Sequence, residues 1–296
     1  MPETVAGRSL GIAGRSLGIA AQSVSVPRAS VREALVQAAG VLSEAGCEAP
    51  RLDAELLLAF ALGCDRAELV LRVCEPLGAF VQARFEELLA RRVAREPVAY
   101  ITGVKEFRWL SLTVDRRVLI PRPETELLVE VGLSLPEGAR VADVGTGSGA
   151  IALALKQERP DLEVVGIDLS PDALEVARGN AARLGLDVSF RQADLLGGGD
   201  YDAVLANLPY VASSSAVALE SSVYEPAIAL YAGDDGLAVL RRLIAMLAVA
   251  KVPVAALEVG FDQAGAVEAL LVAAGLRSVQ RLPDLAGHDR VVLGRR

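Results

Sequence analysis

From about residue 139 the chain alternates between two hydrophobic periods, and this alternation constrains its fold more than any other feature. Short apolar or β-branched stretches predict strands over Arg140–Val144, Glu163–Ile167, Val188–Gln192, Ala203–Ala206 and Val254–Glu258. Between them, helical spacing predicts helices over Ala150–Glu158, Pro171–Leu184, Leu237–Ala248 and Gln263–Ala274. Arg277–Arg281 and Asp289–Leu293 read as a closing hairpin. Such alternation implies an α/β domain with a mainly parallel sheet covered on both faces. Ligands of these sheets sit beyond the carboxyl ends of the strands, near the point where strand order reverses. Chemistry-bearing residues are therefore expected at the strand ends.

Three of those ends carry a pattern. The first runs Asp143-Val144-Gly145-Thr146-Gly147-Ser148-Gly149 into a helix. Its glycines let backbone approach a ligand closely, and the helix offers unpaired N–H groups. The spacing is G-x-G-x-G, neither a dinucleotide fingerprint nor a phosphate-binding P-loop, and a tight turn alone would also use glycine. Asp168 ends the second strand, where an acid can accept hydrogen bonds from ribose hydroxyls. A helix N-cap is the competing role, but Ser170, followed by Pro171, suits that role better. Asp194 follows the third strand and could face an adenine amino group, although a lone Asp there is commonly plain surface. Together these ends suit a ligand with a ribose, an adenine and a charged tail, such as S-adenosylmethionine.

The fourth strand ends in Asn207-Leu208-Pro209-Tyr210. The Asn side-chain carbonyl and the backbone carbonyl of residue 208 are acceptors, and Tyr210 supplies a flat face. The three can hold a planar –NH2 group by both hydrogens. An amide nitrogen is a poor nucleophile, so fixing both N–H bonds and aiming the nitrogen at a methyl sulfonium supplies orientation and electrostatic stabilisation without a strong base.

The rest of the chain bounds this reading. With 296 residues, of which 52% are hydrophobic, a large core is available. No run reaches the roughly 18 apolar residues of a membrane span; Leu243–Ala250 stops at Lys251. The net charge of −8 is uneven: residues 28–120 hold 13 basic and 13 acidic side chains, and residues 121–296 hold 15 basic and 24 acidic, a balance of −9. That acidity disfavours a phosphate backbone as partner. With a single histidine, His288, neither a multi-histidine metal site nor a His-based triad is expected, and Cys47, Cys64 and Cys74 match no metal or redox spacing, so no metal is expected. They read as thiols in a reducing compartment, which points to the cytoplasm.

Four segments are expected: a tail at 1–27, a helical domain at 28–96, a β-hairpin linker at 97–120, and the α/β domain at 121–296. The tail contains a tandem repeat, Gly7–Ala13 then Gly14–Ala20. It reads as disordered or as an over-extended start, with a transit peptide the weaker alternative. In the helical segment, Ser30 caps a helix with Glu33 in the capping-box position, and Gly40 interrupts the pattern. Arg51–Leu62 and Pro76–Arg95 are further helical stretches. Val98–Gly103 and Phe107–Val114 are predicted to be the strands of the linker.

Several pieces resemble the protein-(glutamine-N5) methyltransferase family of peptide chain release factors, also known as the HemK family. They are Glu96–Gly103, Val118–Glu126, Asp143–Ile151, Asn207–Tyr210, Tyr224–Pro226, Gly233–Leu237 and Asp284–Val292. The resemblance covers about residue 30 to the C-terminus. It implies a seven-stranded Rossmann-like class I methyltransferase domain, a helical N-terminal domain that docks the release factor, and a hairpin linker. It implies transfer of a methyl group from S-adenosylmethionine to the glutamine of a Gly-Gly-Gln loop, by a monomer. Gly145, Thr146, Gly147, Ser148 and Gly149 would hold the methionine end of the cofactor, Asp168 the ribose, and Asp194 with Leu195 the adenine. Asn207 would sit between cofactor and substrate, with Leu208, Pro209 and Tyr210 completing the amide site. Pro121–Glu126 would shape the entrance or serve only as a linker corner.

The chain departs from the family pattern twice. Leu208 replaces the first proline of Asn-Pro-Pro-Tyr; the needed carbonyl survives, but the fixed φ is lost, so weakened rather than abolished activity is expected. Ala250–Pro253 stands where the family tends to have a glycine turn, which bears on folding more than on chemistry. Other readings stay open: methylation of a ribosomal-protein glutamine, amino-methylation of a DNA base, and a cofactor-binding scaffold without turnover. Leu208→Pro is expected to keep or raise activity.

Overall fold

A computed structural model describes residues 29–296; the expected tail at 1–27 lies outside the described residues. Five helices open the described chain: α1 (Val31–Glu44), α2 (Pro50–Leu62), α3 (Arg66–Leu71), α4 (Ala79–Val93) and α5 (Val98–Thr102). The Ser30 capping box forms: its hydroxyl accepts the Glu33 N–H, and the Glu33 carboxylate accepts the Ser30 N–H at 2.8 Å. Gly40 does not interrupt α1, which continues to Glu44 because Leu42 is fully buried on the inner face. Val31, Leu42, Leu57, Leu58, Leu77 and Phe85 pack with Ile101 into a core of their own.

The segment Val98–Thr102, read above as a strand, is a helix. Its β-branched residues favour strand, but burial decides otherwise. A helical turn after Pro97 sends Ile101 into the helical core and Tyr100 against Val118, Ile120 and Val176. The Tyr100 hydroxyl donates to the Val118 carbonyl at 2.5 Å, and Gly103 ends the turn at φ +74°. The hairpin proper is β1 (Val104–Phe107) with β2 (Leu110–Thr113).

The remaining elements are α6 (Glu126–Leu133), β3 (Arg140–Val144), α7 (Ala150–Glu158), β4 (Glu163–Asp168), α8 (Pro171–Leu184), β5 (Ser189–Gln192), β6 (Ala203–Ala206), α9 (Leu219–Tyr224), α10 (Ala238–Ala250), β7 (Val254–Glu258), α11 (Ala264–Ala273), β8 (Ser278–Pro283) and β9 (Asp289–Arg295). Seven strands form one sheet in the order β5-β4-β3-β6-β7-β9-β8. All pairs are parallel except those made by β9. Residues on β3, β6 and β7 alternate between two cores. Val141, Leu205 and Ala256 face α6 and α7, whereas Ala142, Val204 and Ala255 face α10 and α11. Among the described residues, no helix is long and apolar enough to cross a membrane.

The order reverses at β3: β4 and β5 lie to one side and β6 to the other. The carboxyl ends of β3 and β6 therefore frame the switch-point crevice. The Gly145 loop leaves one end and Asn207–Tyr210 leaves the other.

The helical unit grips the chain beyond that crevice. Arg92 of α4 is buried and donates to Asp53 at 2.8 Å and to Glu220 of α9 at 3.2 Å. Arg95 also pairs with Glu220, at 2.7 Å, and Tyr224 donates its hydroxyl to the Ala94 carbonyl at 2.8 Å.

Candidate active site

At the switch point lies a cavity of about 310 Å³. Its walls bring together Gly145, Thr146, Gly147, Ser148, Asp168, Asp194, Leu195, Asn207, Leu208 and Pro209, drawn from the ends of β3, β4, β5 and β6. A second, smaller cavity of about 160 Å³ adjoins it, lined by Arg122, Tyr210, Val211 and Ser221. Asn207 belongs to the walls of both.

The glycine loop is shaped by positive φ angles, +78° at Gly145 and +55° at Gly147, where side-chained residues are strained. A Cβ on Gly145 would meet Leu208 Cδ2 at 2.9 Å. Leu208 is thus a buried packing partner of the loop, a role invisible in the sequence. Gly149 does not line the cavity; a Cβ there would point at Leu153 and Ala177, so it serves the packing of α7.

Two aspartates pin the loop. Asp143 accepts from the Thr146 hydroxyl at 2.6 Å and from the Ala152 N–H at 3.1 Å, tying the loop to the first turn of α7. Its other oxygen is buried without a partner, and burial pushes the carboxyl up to about 7. Asp168 accepts the Gly147 N–H with one oxygen and the Ser170 N–H with the other, each at 2.9 Å. Burial raises its carboxyl above the ordinary range. Each oxygen keeps a further lone pair for a ligand hydroxyl. Ser170 caps α8 by accepting the Ala173 N–H at 3.2 Å, as its position predicts. Asp194 forms an exposed ion pair with Arg242, and both line the cavity. Leu195 is buried with φ +54°. Positive-φ glycines, an acid with spare acceptors at the β4 end and a mainly apolar space fit S-adenosylmethionine.

On the other side, Asn207 donates from Nδ2 to Thr125 Oγ1 at 2.9 Å, and Thr125 donates to Glu258 at 2.7 Å. Tyr210 points its hydroxyl at the other Glu258 oxygen, 3.4 Å away; burial pushes the phenol up to about 12. Gln263 donates to the Tyr210 carbonyl at 2.9 Å. A Cβ on Gly236 would lie 2.2 Å from that same oxygen, so the Gly233–Leu237 motif leaves room for the Tyr210 backbone. The Pro121–Glu126 corner is both structural and site-forming. Pro121 and Thr125 line the large cavity and Arg122 the small one, while buried Glu225 accepts the Ile120 N–H at 3.0 Å and pairs with Arg122 at 2.6 Å.

Glu258 and Asn180 carry no assignment in the sequence reading. Asn180 is buried in α8, accepts the Thr113 N–H and donates to the Thr113 and Ser148 carbonyls, joining the hairpin to the glycine loop. The available signal for Glu258 was an acid closing an apolar strand; Asn180 gave none. Among the described residues no acid, cysteine or histidine cluster could hold a metal.

Comparison with known proteins matches two families along the chain. Residues 33–103 match the PrmC N-terminal domain family, and residues 135–232 match a methyltransferase domain family. The chain is 43% identical over 274 residues to the release factor glutamine methyltransferase of Deinococcus radiodurans, covering 90% of this chain and 98% of that protein. It is 43% identical over 267 residues to the protein of the same name from Caulobacter vibrioides, covering 86% and 92%. Among solved structures, the human Mettl16 catalytic domain, solved with a MAT2A 3′UTR hairpin, superposes with a TM-score of 0.53 at 16% identity over 70% of this chain and 81% of that one, a likeness of fold alone. The release-factor-specific protein-(glutamine-N5) methyltransferase of Alicyclobacillus acidocaldarius is 32% identical over 60% of this chain and 94% of that one, with a TM-score of 0.38. With such identity sustained across nearly the whole length of its relatives, the chain belongs to the release factor glutamine methyltransferase family.

Proposed function

We propose that the protein methylates the side-chain nitrogen of the glutamine in the Gly-Gly-Gln loop of a peptide chain release factor, using S-adenosylmethionine as methyl donor. The observation that carries this reading is the shared wall: Asn207 borders both the 310 Å³ and the 160 Å³ cavity. A group held in the small cavity by Asn207 faces a ligand held in the large one.

In this reading Gly145–Ser148 hold the methionine end, Asp168 the ribose hydroxyls, and Asp194 with Leu195 the adenine. S-adenosylmethionine, when bound, supplies an electrophilic methyl group on a sulfonium. Asn207 Oδ1 accepts one N–H of the glutamine amide and the Leu208 carbonyl accepts the other. Tyr210 bounds the amide plane, and Pro209 fixes the backbone between them. Leu208 is buried and Asn207, Pro209 and Tyr210 are half-buried, so a bound amide and cofactor would close the site further and keep water from competing for the methyl group. The methylated nitrogen then releases its proton to solvent. The helical unit docks the protein substrate, and its grip on Glu220 and Tyr224 ties that docking to the loop after Tyr210. A cytoplasmic monomer suits this role, and the cysteines of the described residues are all free thiols.

The test is mass spectrometry of a purified release factor after incubation with the protein and isotope-labelled cofactor. One labelled methyl on the Gly-Gly-Gln glutamine is expected, and Asn207→Ala should lose most turnover. Cofactor binding without transfer to that glutamine would overturn the reading.

A further inference from the structure

An asparagine amide can present either end to a cavity, because its oxygen and nitrogen ends have nearly the same shape. Only the oxygen end can accept a substrate N–H. In this fold the choice is made outside the cavity. Asn207 Nδ2 meets Thr125 Oγ1 at 2.9 Å, and the Thr125 hydroxyl meets Glu258 Oε2 at 2.7 Å. An ionised carboxylate only accepts hydrogen bonds, so the single Thr125 hydrogen is committed to Glu258. Thr125 is then left with acceptor lone pairs alone, and Asn207 must turn its –NH2 toward Thr125 and its Oδ1 away. Thr125 is 4% exposed and Glu258 1% exposed, so bulk water does not compete.

We propose that Glu258, acting through Thr125, is a positioning residue that fixes which end of the Asn207 amide faces the substrate, and that it steadies Tyr210 from its other oxygen. The proposal rests on the reading of Asn207 as the amide acceptor. It adds to that reading the reason why the acceptor end is the one presented.

The groups facing Glu258 come from three segments. Arg290 of β9 favours its ionised form, as do the hydrogen bonds from Thr125 and Tyr210, whereas Glu124 opposes it. Burial outweighs these and pushes the carboxyl up to about 7. Once protonated, Glu258 can donate to Thr125, which frees the Thr125 hydrogen to point at Asn207 and reverses the amide preference. Turnover should therefore fall on the acid side of about pH 7.

The experiment measures kcat and KM for the release factor from pH 5.5 to 9 (about the range that brackets such a carboxyl), with cofactor affinity by calorimetry. The full-length chain is used with Thr125→Val, Thr125→Ser, Glu258→Gln and Asn207→Ala. Thr125→Val should lower kcat on the order of tenfold, the worth of one buried hydrogen bond, leave cofactor affinity unchanged, and lose the acid limb. Thr125→Ser should restore both rate and acid limb. Should the valine variant fail to fold, Glu258→Gln, nearly isosteric and without a titrating group, should still lose the acid limb. An inactive Asn207→Ala beside a Thr125→Val or Glu258→Gln protein with the wild-type rate and pH profile would overturn the relay alone. Near-normal rates in Asn207→Ala would overturn the amide-acceptor reading on which it stands.

Discussion

Replacing Gly145 by alanine tests the contact that joins the two halves of the site. At φ +78° the new side chain sits in the left-handed region, which costs an L-residue about 1–2 kcal/mol. Its Cβ also lands 2.9 Å from Leu208 Cδ2 and 3.4 Å from the Asn207 carbonyl oxygen. Leu208 is 5% exposed and packed in the core on the α10 side of the sheet, so it yields only by overpacking its neighbours, at about 1–3 kcal/mol. The two effects add to about 2–5 kcal/mol, or roughly 3–8 °C in Tm for a chain of this size. Because only the second effect depends on Leu208, a double-mutant cycle separates them. In a Leu208→Ala background the added cost of Gly145→Ala should fall to the strain alone, about 1–2 kcal/mol. Denaturant unfolding of the four proteins measures the cycle, and calorimetry with S-adenosylmethionine should show weakened binding in Gly145→Ala. Equal costs in both backgrounds, or a Gly145→Ala protein as stable as the parent, would refute the claim that this glycine makes room for Leu208.

Gly236→Ala should be harsher for activity, because its Cβ would meet the Tyr210 carbonyl oxygen at 2.2 Å and backbone cannot swing aside; kcat loss beyond that of Gly145→Ala is the expected reading in a turnover assay. Asp53→Ala leaves Arg92 buried with Glu220 as its remaining carboxylate partner, and should cost about 3 kcal/mol by urea unfolding, the low end for a broken buried pair. Lys251 ends α10 in the left-handed region at φ +52°, so Lys251→Gly should raise stability by about 1 kcal/mol, visible as a higher Tm. Asp143 and Glu258 titrate near 7 in the folded chain and near 4 when unfolded. Between those values the folded chain binds more protons, so stability should fall as pH rises from about 4 to about 7. Asp143→Asn should flatten that slope in unfolding titrations, and an unchanged slope would remove Asp143 from the account.

Local signals in the chain are enough to read the architecture of the α/β half and to point to the strand ends that line its cavity. Strand–helix alternation, the Gly145 loop, Asp168, the Ser30 and Ser170 caps and the Asn207–Tyr210 segment are local signals, written within a few neighbouring residues. They therefore survive without knowledge of the fold. The Lys251 cap was also foreshadowed, as a missing glycine turn. Tertiary structure decided what those addresses touch. Val98–Thr102 became a helix because two separate cores claim Tyr100 and Ile101. Gly149, at the end of the glycine loop, is also a packing position, because a Cβ there would meet Leu153 of α7 and Ala177 of α8. Leu208, read as the loss of a fixed φ, became the partner of Gly145. The orientation of Asn207 depends on Thr125, 82 residues away, and Thr125 in turn on Glu258, 133 residues away. Such links are set by which strands lie side by side at the switch point, and no local period in the chain encodes them.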